Sequence, residues 1–239
     1  MRRKKGSFLI KAGCVMILAA GALTGYNLYD EHRAAQKASS ALVELDAVVN
    51  KNAAAPSSVQ LYVDIPGVQV QEPQIITMPL PDTQVPSVEN PVTLPEMEVP
   101  DYILNPRMQM PVVQHEGNDY IGVLEIPRLG LRLPVMSQWS YPGLKKAPCR
   151  YAGTPYLDNF VISAHNYDSH FGRLKKLTEG ERIFFTDADG NRFGYEVALI
   201  ETLQPTSIDE MKNSDFDLTL FTCTVGGQMR VTVRCYKVQ

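Results

Sequence analysis

The sequence lacks the cysteine pairings that metal and dithiol sites require. Its four cysteines, Cys14, Cys149, Cys223 and Cys235, contain no C-x-x-C pair, which argues against a zinc ribbon or a redox dithiol motif. Any cysteine chemistry therefore rests on one thiol. Positive charge is also thin: the formal net charge is −3 and no dense Lys/Arg cluster follows the N-terminus, so no nucleic-acid partner is expected. Asp187 and Asp189 read as a hairpin turn, since a calcium cage needs more oxygen ligands than this loop supplies. No metal or cofactor is implied. The 44% hydrophobic and 21% charged residues exclude a wholly disordered or collagen-like chain. A length of 239 residues suits one domain with appendages or two small ones.

What is present begins with a basic segment, residues 1–11, carrying Arg2, Arg3, Lys4, Lys5 and Lys11. An uncharged run of 18 residues, Ala12 to Tyr29, follows. That length is enough for a membrane-spanning helix if Lys11 reaches the headgroups. The cationic flank should stay cytoplasmic and send the rest of the chain across the membrane. An uncleaved signal anchor over 12–29 is preferred to a cleaved signal, for which Ala19-Ala20-Gly21-Ala22 offers small residues. Cys14 lies too early for a lipoprotein site and reads as a small apolar helix residue.

Residues 30–50 hold apolar positions at helical spacing with no Gly or Pro, which predicts a juxtamembrane helix. Proline is then concentrated: 11 of 17 lie between Pro56 and Pro111. That density blocks helix and sheet interior, so residues 51–111 are expected to form an extended, solvated linker. From 112 to 239 short β-type runs alternate with turn signals, among them Asp189-Gly190 between two alternating runs. Helical stretches are short, around Ser140 to Lys146 and Ser207 to Lys212. The fold class expected is all-β, a barrel or sandwich with small helices in its connections.

Two apolar runs in this domain end in reactive side chains. Phe160-Val161-Ile162-Ser163-Ala164 leads to His165, and Leu218-Thr219-Leu220-Phe221-Thr222 leads to Cys223, with Arg230 seven residues on. A thiol attacks as thiolate and needs a base or cation beside it, and a later step needs an acid to protonate the leaving amine. Histidine serves both needs. Arginine offers a planar fork of donors to a substrate carbonyl or an oxyanion.

Thr219-Leu220-Phe221-Thr222-Cys223, Ala164-His165-Asn166 and Arg230-Val231-Thr232-Val233-Arg234 resemble the cysteine, histidine and arginine strands of the sortase family. Asp119 to Pro127 and Leu131 to Val135 are similar to that family's first two strands, and the resemblance covers about residues 115–239. It implies an eight-stranded sortase-like β-barrel behind a transmembrane helix and linker. It also implies a membrane-anchored cysteine transpeptidase that cleaves an L-P-x-T-G-like sorting signal of secreted proteins through a thioacyl-enzyme. The product would pass to an amine of a peptidoglycan precursor or a pilin lysine. On this resemblance Cys223 is the nucleophile, His165 the general acid/base, and Arg230 positions substrate and stabilises the oxyanion. Thr222, Thr224 and Arg234 are further candidates for substrate contacts. Arg234 is the rival of Arg230, since it lies four residues along the same strand and faces the same side.

Cys149 and Cys235 read as structural thiols, with no spacing that supports a disulfide between them. His32, His115 and His170 read as surface residues, and Asp168 as an exposed loop carboxylate. The connection from about Leu203 to Asp217 is shorter than the helical insertion of class B sortases. No D-P-F or D-P-W lid of class C type is present. A class D-like or housekeeping enzyme is thus expected over a pilin-polymerising one. The reading from a different class is a stalked barrel that binds wall peptides without chemistry. A papain-like hydrolase lacks its C-G-x-C-W setting and its Cys-before-His order.

Overall fold

The computed structural model describes residues 3–54 and 99–238. Most of the expected linker, 55–98, lies outside the described residues. The first element is one continuous helix, α1 (Arg3–Ala54), that carries both the uncharged run and the juxtamembrane segment. It contains a stretch long and apolar enough to cross a membrane.

The rest is a closed barrel preceded by a single helical turn, α2 (Asp101–Leu104). The strands are β1 (Val113–His115), β2 (Asn118–Ile126), β3 (Leu131–Met136), β4 (Cys149–Ala152), β5 (Phe160–Ser163), β6 (Arg182–Asp187), β7 (Arg192–Leu203), β8 (Leu218–Cys223) and β9 (Arg230–Val238). Two short helices lie between them, α3 (Tyr141–Leu144) and α4 (Ile208–Lys212). The order β2-β3-β4-β5-β8-β9-β7-β6 closes on itself through a β6–β2 pairing, giving eight strands, while β1 adds to β2 as an edge. Sequence patterning overlooked β1 and β4, which are three and four residues long. Segments that short carry too few alternations to register as strands.

β5 is buried at all four residues because it pairs in parallel with β8, and parallel strands with both faces covered read as continuous apolar runs. The core fills the barrel with Phe160, Phe171, Phe185 and Tyr195, none of them exposed. Phe160 and Phe185 meet edge to face at 4.9 Å. Gly122 lies where β2 closes on β6. Its φ is +153°, and a Cβ there would lie 2.1 Å from the Thr186 carbonyl oxygen, so only glycine lets the two backbones meet.

Two segments pack more closely than their composition suggests. Residues 100–111 were expected to be solvated, yet Tyr102 stacks on Tyr156 at 5.0 Å and Met110 is buried in the core. The apolar side chains between the prolines supply that contact. The outer half of α1 lies along β1, β2 and β3. Ala34, Ala38, Ala41, Leu45 and Val49 form its buried stripe, at the three- and four-residue spacing of one helix face. Small residues let the helix axis come close to the sheet. Polar contacts flank the stripe: Asp46 pairs with Arg132, Glu44 with His115 at 3.0 Å, and the Asn52 amide donates to the Ala188 carbonyl at 2.9 Å.

Candidate active site

The register of three strands brings the reactive residues together. β5 and β8 run parallel with Ser163 opposite Phe221, so both strands end at the same edge of the barrel. Continuing that offset of 58 residues by two positions sets His165 level with Cys223. The Thr222 hydroxyl donates to the Ala164 carbonyl at 2.8 Å and holds the offset past the end of the ladder. On the other side β9 runs antiparallel, and Cys223 is directly opposite Arg230.

Cys223, His165, Arg230 and Thr222 all line one cavity of about 760 Å³. Its walls are largely apolar. Trp139 meets Tyr141 edge-on at 4.8 Å, and Tyr151 meets Phe221 edge-on at 5.1 Å; all four face the space, as do Ile208 and Met211. The Ser140 hydroxyl accepts from the Gly143 amide at 3.0 Å and caps α3, which sets Tyr141 at the rim. Arg150 also lines the cavity, with its Nε donating to the Ser137 carbonyl at 2.8 Å. No motif in the sequence marks Arg150 or Trp139.

The guanidinium of Arg230 is aimed by its own loop. Its Nη1 donates to the carbonyls of Gly227 at 2.9 Å and Met229 at 3.1 Å. Thr224 ties the same loop, accepting from the Met229 amide at 3.1 Å, and lies on a second cavity of about 530 Å³ rather than the first. That second cavity shares Thr222 and Cys223 with the first and is bordered by Arg173, Lys175 and Lys176.

Arg234 is placed elsewhere. It is 2% exposed and does not line the main cavity. Its Nε bonds Glu201 at 2.8 Å, while Nη1 bonds Thr219 at 3.0 Å and Ser214 at 3.2 Å. Its Nη2 bonds the Glu210 carbonyl at 2.9 Å. These contacts fasten the β7–β8 connection to the barrel.

His165 is half-buried, and burial pulls its pKa below 6.5, with the nearby Lys145 charge acting the same way and Asp30 opposing. The imidazole is therefore poised toward its neutral form. The other three cysteines stand apart from this chemistry, and all four are free thiols. Burial pushes Cys149 and Cys235 up to about 12, which keeps both protonated. His170 departs from its expected surface position: it is fully buried against the Tyr167 ring at 5.6 Å, and burial lowers its pKa to about 4. The polar residues around it in sequence gave no hint of this. His115 lies in β1 rather than outside the strands. Asp168 is exposed, as expected of a loop carboxylate.

A family model described as a sortase domain matches residues 124–238, which span the barrel from β2 to β9. The sequence is 30% identical to sortase C from Clostridium perfringens SM101, over 60% of this chain and 78% of that one, with a TM-score of 0.45. The chain belongs to the sortase family. Sortase C1 of GBS pilus island 1 is 25% identical, with 50% of this chain covering 64% of that one at a TM-score of 0.45. Clostridium perfringens sortase D5 transpeptidase is 24% identical, over 51% of this chain and 81% of that one at a TM-score of 0.46. The search of the curated proteins found no match. As in other sortases, the domain is an eight-stranded closed barrel.

Proposed function

We propose that this sortase is a cysteine transpeptidase in which Cys223, His165 and Arg230 act on an L-P-x-T-G-like signal at the C-terminus of secreted proteins. The observation that carries the reading is the meeting of those three side chains on one largely apolar cavity. The Cys223 thiol gives its proton to the neutral His165 imidazole and the sulfur attacks the carbonyl carbon after the signal's threonine. Arg230 holds that carbonyl oxygen as it becomes negative, and His165 gives a proton to the departing amine. The thioacyl carbonyl is then attacked by an acceptor amine. The C–S bond breaks, the new amide forms, and His165 takes the proton of the attacking amine and returns it to the sulfur.

The apolar cavity fits the Leu and Pro side chains of the signal. The second cavity also reaches Cys223, and its Arg173, Lys175 and Lys176, which outnumber the one carboxylate of Asp168 there, suit an acceptor with acidic groups, such as a peptidoglycan precursor. The uncharged run in α1 supports a single-pass anchor with the N-terminus inside and the barrel outside. The sequence before the barrel carries no D-P-F or D-P-W motif of class C type. We therefore favour a class D-like or housekeeping enzyme over a pilin polymerase.

The test uses the full chain in detergent micelles with peptides bearing L-P-x-T-G and its variants. Intact-mass spectrometry should detect a thioacyl adduct that an added amine discharges to an amide. Cys223→Ala should give no adduct. Absence of an adduct on the wild-type chain with every peptide, while Cys223 still alkylates, would favour the wall-peptide-binding alternative.

A further inference from the structure

The loop that follows His165 is held by the helix that leaves the membrane. Asp30 is the first charged residue after the uncharged run, and its carboxylate accepts a hydrogen bond from the Tyr167 hydroxyl at 2.8 Å. The Tyr167 ring lies against the His165 ring, with centroids 4.9 Å apart. The same carboxylate faces the Lys145 ammonium at 3.5 Å. One residue further, Glu31 accepts from the Ser169 amide at 3.3 Å. Two successive carboxylates of α1 thus grip two residues of one short loop.

We infer that Asp30 is a positioning residue of the active site: it fixes the Tyr167 ring against the His165 imidazole and balances the Lys145 charge beside it. The anchor helix then completes the catalytic centre as well as tethering it. This rests on the proposed role of His165.

The electrostatics agree in sign. Lys145, from the α3–β4 connection, lowers the His165 pKa and Asp30 raises it. Other charged or titratable neighbours are Tyr26 and Glu31 on α1, Tyr167, Asp168 and His170 on the same loop, and Arg150, Lys212, Cys223 and Arg230 around the cavity. None of them lies on α1 within reach of Lys145 as Asp30 does, so removal of Asp30 leaves that ammonium unopposed.

The experiment compares the full chain in micelles with Asp30→Asn, Asp30→Glu, Tyr167→Phe and Asp46→Asn. Two pH profiles are recorded: kcat/KM for peptide transfer, and the rate of iodoacetamide modification mapped to Cys223. In Asp30→Asn the limb assigned to His165 should move to lower pH. Its kcat should fall on the order of tenfold with KM changed less than about twofold, as expected when positioning alone is lost. Tyr167→Phe, which keeps the Asp30 charge, should lower kcat by less and leave the limb in place, and Asp30→Glu should keep the wild-type limb. Asp46→Asn breaks a helix–barrel ion pair far from the site and should leave both profiles in place. An unmoved limb in Asp30→Asn overturns the inference, as does an equal shift in Asp46→Asn, which would reduce the effect to helix docking. If the wild-type chain transfers no peptide, the proposed function fails, and the modification profile still decides the role of Asp30.

Discussion

The Thr222 hydroxyl donates to the Ala164 carbonyl at 2.8 Å, joining the residue before the proposed nucleophile to the residue before the proposed base. Both partners are buried. Thr222→Val keeps the shape and strands that carbonyl, at about 1–2 kcal/mol. It should lower kcat by on the order of tenfold or more, since the offset between His165 and Cys223 is no longer held. Urea unfolding and single-turnover acylation on the same preparation separate the two effects. Unchanged acylation would show that the β5–β8 ladder alone sets the register.

The two arginines of β9 should respond in opposite ways. Arg230 makes its two bonds to loop carbonyls, so Arg230→Lys should leave the unfolding midpoint near wild type. Its kcat/KM should drop about a hundredfold or more, because an ammonium lacks the planar fork. Arg234→Met empties a buried site and leaves Glu201, Thr219 and the Glu210 carbonyl short of a donor. It should lose about 3 kcal/mol of stability, read as a lower urea midpoint. If Arg234→Met instead removes activity at full stability, the assignments are reversed.

His170 should make the barrel acid-sensitive. Its pKa is lowered by burial, from 6.5 to about 4, so the folded state favours the neutral ring. The stability tied to that preference is complete above pH 6.5 and is lost as pH falls toward 4, about 3 kcal/mol across the window. Urea midpoints measured from pH 7 to pH 4 should fall in the wild type. The slope should flatten in His170→Phe whatever that variant's absolute stability, and an equal slope would assign the acid limb to other groups.

Gly122→Ala should be severe. The new methyl group meets the backbone of Thr186 and Asp187 where β6 closes the barrel, and neither strand can retreat without opening the ring. We expect a loss of about 3 kcal/mol or more and a poorly folded product by circular dichroism. A well-folded variant would mean that the β2–β6 seam gives way locally.

The barrel and the three residues that meet on one cavity were legible because their signals are local. Each strand of five or more residues announces itself by alternation or by a continuous apolar run, and His165 and Cys223 close such runs while Arg230 opens one. Arg230 and Arg234 were harder to separate: both lie on one face of β9, and only the β7–β8 connection, which wraps Arg234, tells them apart. The helix contacts were not legible. Ala34, Ala38 and Ala41 repeat at the interval that any helix face shows, and nothing in that spacing says what the face touches. Asp30 looked like the ordinary polar end of a membrane span. His170 was misplaced because its polar neighbours in sequence face outward while its own ring turns inward.

The docking of α1 changes what the proline-rich stretch does. The helix is fastened to the barrel near its end by Asn52, and the chain is again on the barrel at Tyr102, so residues 55–98 begin and end on the same body. Under the proposed anchoring, the docked helix and not the linker sets how far the catalytic edge stands from the bilayer, with Asp30 at its foot. With the anchor oriented as proposed, the catalytic edge is held at one fixed height above the bilayer.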